Sequence, residues 1–597
     1  MRPNRTLTYL TAGVLALSAG ATHALAQARD RIGLLEITGT PADAPNPLAW
    51  LFGEEEPTLS SLVAAIEGAQ GEHNLDHLVI RLKDAALSWA HVDELGQAIE
   101  SVEIPVTLFA EQMGPTDLML ASYADKAMIQ KAGDVSLPGL YMEEMFLADT
   151  LDWVGLNAQM IQVGAYKGAN EQMTRSQPSE AWNDNINGLL DSLYGHMVGT
   201  LAQGEGMSVA RVESAMETLW MANAEDAVKA GLVDMAVDLP ELGDAVAGAG
   251  SNPRWITLSA GADASEFDTA NPFAMLQKLM EEPDTELTGP TIAVLHLTGT
   301  IMTGDSASGG LFGGQTIGSR SVRNELKALG ENDMIQGVVI RIDSPGGSAT
   351  ASEIIWQGVQ ELRETKPVWI SVGNMAASGG YYIAVGGEKI YANPSSILGS
   401  IGVVGGKISM TELYDTLKIN VVGRARGPRA DMFASAEPWN DSQIAIVRQK
   451  MTEVYDQFTG RVVAGRPGIN LDQTAEGRLF LGKDAVGLKM ADKVGTLDNA
   501  VVDLADHVGL TTYDVRHYPG PKSLTEILEE SLGGFMGASA LNRASASGDA
   551  SALPMVRAVR AAVGERTWSQ MVQSLNAFSL LREEPVVLTA PSVVTFR

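Results

Sequence analysis

The sequence predicts an α/β protein made of two tandem βαβ domains that arose by internal duplication. Three matches along the chain predict it. RIGLLEITGT at residues 31–40 aligns with TIAVLHLTGT at 291–300, 260 positions later. At the same offset, HLVIRLKDAALSWA from His77 aligns with GVVIRIDSPGGSAT from Gly337. At offset 262, IPVTLFAEQM from Ile104 aligns with KPVWISVGNM from Lys366. Self-similarity at a nearly fixed spacing is the mark of a repeated unit.

The matched runs are apolar and rich in β-branched residues, and the first pair closes on a Thr-Gly turn, so they read as buried strands. Amphipathic helical stretches lie between them, clearest at Val92–Ser101 and Ser352–Glu364. Strands alternating with helices imply parallel pairing. The expected divisions are an N-terminal repeat at 30–245, a linker at 246–289 and a C-terminal repeat at 290–515. The linker begins Gly/Ala/Ser-rich and holds a short helical patch, Asn271–Glu281. Residues 516–597 form a tail to which the sequence assigns no role. A helix-like stretch after Gly520 gives way to GASALNRASASGDASALP, a linker composition.

At the N-terminus, Arg2 and Arg5 precede an apolar stretch from Leu7 to Ala21 and then Ala24-Leu25-Ala26. That pattern predicts a signal peptide over residues 1–26, or an anchor if it is not cut. Its apolar core is shorter than the roughly 20 residues of a bilayer span, which favours cleavage.

The 597 residues exceed what one hydrophobic core organises. With 45% hydrophobic and 19% charged residues the composition is globular. A formal net charge of −31 argues against a nucleic-acid partner. There is no cysteine, which excludes disulfides, thiolate metal sites and cysteine nucleophiles. No metal and no cofactor is expected.

Two turns carry chemistry. Asp343-Ser-Pro-Gly-Gly-Ser348 follows the strand that begins at Val338. Its proline and paired glycines permit a turn that aims backbone N–H groups at one point, as an oxyanion hole requires. Asn374-Met-Ala-Ala-Ser-Gly-Gly-Tyr381 follows the strand that begins at Pro367 and places Ser378 just ahead of a buried helix, with the Gly379 N–H beside it. Either could be an ordinary turn, but two of them after successive parallel strands sit where α/β folds place their sites. A serine nucleophile needs a base. None of the eight histidines is well placed, and His296 reads as a core residue in a strand. A lysine neutralised by burial is the alternative.

These segments resemble the signal peptide peptidase SppA, or protease IV, family of the Clp/crotonase superfamily in its long, duplicated form. The resemblance rests on Asp343–Glu353, Gly373–Ala384 and Asn393–Gly405 in the second repeat and Val163–Glu171 in the first. It implies that Ser378 is the nucleophile, that Lys167 is the general base and that Ser400 orients the lysine. It also implies that the glycine turn supplies an oxyanion N–H, assigned here to Gly347 and paired with that of Gly379. The repeat supports this independently. Lys167 lies 51 residues past Thr116, the counterpart of Ser378, and the same step from Ser378 reaches Arg429. The second copy therefore has the serine and the glycine turn without the lysine. The first has the lysine but Ala85-Ala-Leu87 in place of the turn. In the segment Gly168-Ala-Asn-Glu171-Gln172 the chain lacks a proline that the family often has after the glutamate.

The resemblance implies a serine endopeptidase that degrades cleaved signal peptides and misfolded envelope proteins. It would act in the periplasm, soluble or attached to the inner membrane, as a homo-oligomer, by analogy a tetramer. Two other functions are compatible with the fold: a catalytically inactive scaffold or chaperone, and a crotonase-like acyl-CoA enzyme.

Overall fold

The structure, a computed structural model, describes residues 30–46, 57–71, 73–204, 206–260, 286–308, 315–520 and 586–589. The expected signal peptide, the helical patch at Asn271–Glu281 and the linker-like run after Gly537 lie outside them.

Each repeat builds a parallel sheet with the same strand order. In the first, the order is Met235–Val237, Lys126–Gln130, Val106–Ala110, His77–Ala85, Arg31–Gly39, Arg254–Thr257. In the second, the corresponding order is Lys493–Val494, Lys389–Ala392, Val368–Ala377, Ile335–Ser344, Thr291–Thr298, Asp514–Tyr518. The registers also coincide. Ile32 faces His77 in the first sheet, and Ile292 faces Gly337 in the second, each pair shifted by the same 260 positions. The central strands alternate little and are buried on both faces, as expected of a sheet covered by helices. Strand Arg254–Thr257 forms the edge of the first sheet, so that sheet continues past residue 245.

The second repeat adds a further sheet across the ends of these strands. Its order is Ala307–Ser308, Gln315–Gly318, Thr300–Met302, Gly346–Ser348, Val586–Thr589, Val403–Ser409, Asn157–Val163. Its last strand comes from the first repeat and pairs antiparallel with Val403–Ser409 over its whole length. This pairing delivers the segment that follows Val163 into the second repeat. The 25-residue helix Glu180–Gly204 makes a second tie, packing Trp182, Ile186, Leu189 and Leu193 against Ala377, Leu479 and Leu481.

A buried polar joint completes the contact between the repeats. Arg341, 1% exposed, pairs with Glu94 at 2.5 Å and Asp43 at 3.6 Å. Asn393 Nδ2 donates to Glu94, and Ser395 donates to Asp93 through both its N–H and its hydroxyl. A buried ion pair adds little over an apolar isostere, but removing one partner strands the other charge. Glu94→Ala is therefore expected to lower stability by about 3–5 kcal/mol. Adding Arg341→Met to it should recover much of that loss. Denaturant titration of the two variants checks this.

Candidate active site

Strand Val368–Ala377 ends at Ser378, and the buried helix Gly379–Ala384 begins at the next residue. Ser378 itself has φ 54° and ψ −112°, a conformation that costs a non-glycine residue on the order of 1–3 kcal/mol. Bonds on both sides hold it there. Its N–H donates to the Gly399 carbonyl at 2.8 Å, and its own carbonyl accepts from Tyr382 N–H at 2.8 Å. The result is a sharp strand-to-helix elbow with the hydroxyl at its tip.

Lys167 follows the strand Asn157–Val163. Its Nζ lies 2.6 Å from Ser378 Oγ, 2.8 Å from Ser400 Oγ and 2.8 Å from the Ser400 carbonyl oxygen. The side chain is 1% exposed, and no carboxylate is among these contacts. Burial therefore pushes the ammonium pKa well below the usual lysine range. Neutral amine is the form that can take a proton from the serine. Ser400 holds φ 54°, and its N–H is anchored at 2.6 Å to the Arg478 carbonyl.

The glycine turn closes the other side. Gly346 has φ +102°, and a side chain there would begin 2.7 Å from Gly379 N. A side chain on Gly379 would begin 3.2 Å from Gly347 N. The amide nitrogens of Gly347 and Gly379 thus lie close to one another. The Gly346 N–H is directed at Ser344 Oγ, at 3.1 Å. Asp343 ties the two turns together, accepting from Asn374 Nδ2 at 2.7 Å and from Met375 N–H at 3.2 Å. Its burial raises its pKa to about 7.

All five residues singled out in the sequence therefore meet. The counterparts do not. Arg429 is exposed, and Thr116 opens the first turn of helix Pro115–Ala121. His296 bonds His517 in the adjoining strand, as a core histidine. Among the described residues no cluster of side chains could hold a metal ion.

A family model described as Peptidase family S49 matches residues 98–247 and 360–511, once in each repeat. The chain belongs to peptidase family S49. Protease 4 of Haemophilus influenzae is 27% identical over 527 residues, spanning 82% of this chain and 81% of that protein. Protease 4 of Salmonella typhi is 25% identical and spans 84% and 82%. The chloroplastic serine protease SPPA of Arabidopsis thaliana is 29% identical over 61% of this chain and 53% of its own. A solved membrane-bound stomatin-specific protease covers 39% of this chain at 13% identity with a TM-score of 0.23, too low to carry an argument. As an S49 member the chain is a serine-type peptidase, and the two-repeat α/β fold agrees with that membership.

Three contributors to this S49 site were not legible in the sequence. Asn185, on the long helix, donates to the Tyr166 and Gly477 carbonyls and accepts from Leu479 N–H, so it staples the lysine loop to the second repeat. At Gly477, φ +94°, a side chain would begin 2.4 Å from Lys167 N. The third is the tail strand Val586–Thr589. No local motif marks any of them, because each bridges to a segment more than two hundred residues away in sequence.

Two outcomes follow for this site. The unfolded chain carries Lys167 charged below about pH 10.4, whereas burial in the fold disfavours the charged form, so its burial opposes folding throughout the neutral range. Lys167→Met should raise the denaturation midpoint at pH 7, with the gain shrinking as pH rises through the ordinary lysine value. Asn185→Ala should lower kcat by about 10–100-fold through misplacement of the lysine. It should also displace the pH profile while changing KM little, a pattern that loss of packing alone would not give.

Proposed function

We propose that this S49 peptidase is an endopeptidase with a Ser/Lys dyad. Lys167 removes the proton from Ser378, and the alkoxide attacks a peptide carbonyl. The Gly347 and Gly379 N–H groups stabilise the tetrahedral oxyanion. Protonated Lys167 gives its proton to the leaving amine, and water then hydrolyses the acyl-enzyme with the lysine again as base. Ser400 holds the amine on the serine side. The single observation that carries this reading is the buried Lys167 Nζ at 2.6 Å from Ser378 Oγ, with no counter-charge among the described residues.

The substrates are extended peptides, as the one-strand-wide slot beside the glycine turn suggests. Signal peptides and misfolded envelope proteins fit the relatives named Protease 4 and SPPA. The setting we propose is the periplasm, with the chain free or attached to the inner membrane. Among the described residues no helix is long and apolar enough to cross a membrane. We further propose a homo-oligomer. Leu417, Ile419, Val421 and Val422 lie exposed in the second repeat, in the stretch that corresponds to strand Asn157–Val163 of the first. An inactive scaffold is disfavoured by the assembled dyad, and an acyl-CoA enzyme by the family.

Ser378→Ala should abolish hydrolysis of a synthetic signal peptide and of unfolded casein, by at least about 10⁴-fold. For the wild type, kcat/KM should rise about tenfold per pH unit up to the lowered lysine pKa and then level off. Lys167→Arg, which stays charged, should be inactive at every pH. A flat wild-type profile, or near-normal activity without Lys167, would sink the dyad.

A further inference from the structure

We propose that Asp343 is a positioning residue for the reaction: its carboxylate closes a β-bulge in the strand that leads to Ser378 and so fixes the glycine turn against the serine elbow. This rests on the Ser378/Lys167 reading above.

The bulge carries the inference. Strands Ile335–Ser344 and Val368–Ala377 pair in steady register from Val338 facing Val368 to Ile342 facing Val372. The next pair is Ser344 with Ala376. Asp343 alone therefore lies opposite three residues, Gly373, Asn374 and Met375. Such a bulge bends its strand and re-aims the side chains beyond it. Here the residues beyond it are Ala376, Ala377 and Ser378.

A bulge also takes backbone groups out of the ladder, and buried ones need other partners. Asp343 serves the N–H side. Its Oδ1 accepts from Met375 N–H at 3.2 Å, and its Oδ2 accepts from Asn374 Nδ2 at 2.7 Å. Other side chains serve the carbonyl side. Ser396 Oγ donates to the Gly373 carbonyl at 2.6 Å, while Asn393 Nδ2 and Arg341 Nη1 each reach the Val372 carbonyl at 3.3 Å. Asn393 and Arg341 are held in turn by Glu94 of the first repeat. Gly373 leaves room for the carboxylate, since a side chain there would begin 3.2 Å from Asp343 Cβ and 3.4 Å from its Cγ.

Asp343 also stands at the root of the glycine turn. The next residue, Ser344, donates to the Gly299 carbonyl at 2.7 Å and accepts from Gly346 N–H at 3.1 Å. The turn is thus tied to the neighbouring strand on one side by Ser344 and to the serine-bearing strand on the other by Asp343. Without Asp343 the Met375 N–H loses its acceptor, and the elbow is free to shift against the turn. The first repeat is consistent with this role. At the matching place, 260 positions earlier, it has an exposed lysine, Lys83, and that copy has neither the glycine turn nor the serine.

Full-length wild type, Asp343→Ala, Asp343→Asn and Gly373→Ala would be compared at a pH above the value of about 7 to which burial raises Asp343. Active sites would be counted with a fluorophosphonate. For each protein, kcat and KM on a synthetic peptide would be set beside the affinity of a matching peptide boronate, whose serine adduct is tetrahedral like the intermediate. Asp343→Ala should lower kcat per labelled site about 10–100-fold and weaken the boronate by a similar factor, with KM nearly unchanged. Asp343→Asn keeps a carbonyl oxygen for the Met375 N–H and should stay within about threefold of wild type. Gly373→Ala crowds the carboxylate without removing it, and it should lower kcat and boronate affinity together while sparing KM. That variant decides the matter if Asp343→Ala does not fold. Fewer labelled sites with unchanged constants per site would mean a merely structural role and overturn the proposal. Asp343→Asn as impaired as Asp343→Ala would overturn it too, because the acceptor would then not be what matters. A wild type inert to both fluorophosphonate and peptide sinks the dyad reading, and this proposal with it.

Discussion

Everything at this site depends on one contact, a buried lysine amine against a serine hydroxyl across two repeats. Among the described residues Lys167 has no carboxylate within reach, and it is buried, so its charged form is the costly one. In the dyad we propose, burial is what makes this cation a base. The same burial opposes folding, and the surrounding structure has to outweigh that cost.

The compensation is visible in how the lysine segment is held. Strand Asn157–Val163 is hydrogen-bonded along Val403–Ser409, Tyr166 N–H reaches the Glu476 carbonyl, and Asn185 bridges the loop to Leu479. The Arg341, Glu94, Asp93 and Ser395 joint fixes the relative placement of the two sheets behind it. A dyad tolerates little displacement, because proton transfer requires hydrogen-bond contact. The buried joint therefore acts as a ruler as much as a source of stability.

Duplication supplies the raw material for this division. Both copies keep the same strand order and register, yet each has kept a different half of the chemistry. The second copy retains the strained serine elbow and the glycine turn. The first retains the strand that carries the lysine. In the dyad we propose neither copy could act alone, and the contact between them is part of the catalytic geometry. The tail strand adds a third remote contributor, seated in the groove that both copies define.

The sequence by itself determined the duplication and the parallel α/β class, and it singled out Ser378, Lys167, Ser400, Gly347 and Gly379, which the fold brings close together. These were legible because each is written locally, as a strand pattern, a glycine turn or a short motif, and because comparing the copies exposed complementary gaps. The extent of the first sheet was less legible, since strand Arg254–Thr257 is short, half exposed and separated from its partner by more than two hundred residues. Only the tertiary structure decided how deeply the lysine is buried, that Asn185 and Gly477 fix its position, and that Val586–Thr589 lies along the glycine turn. Each of those depends on packing and hydrogen bonds between segments far apart in the chain, and no local pattern encodes a partner at that distance.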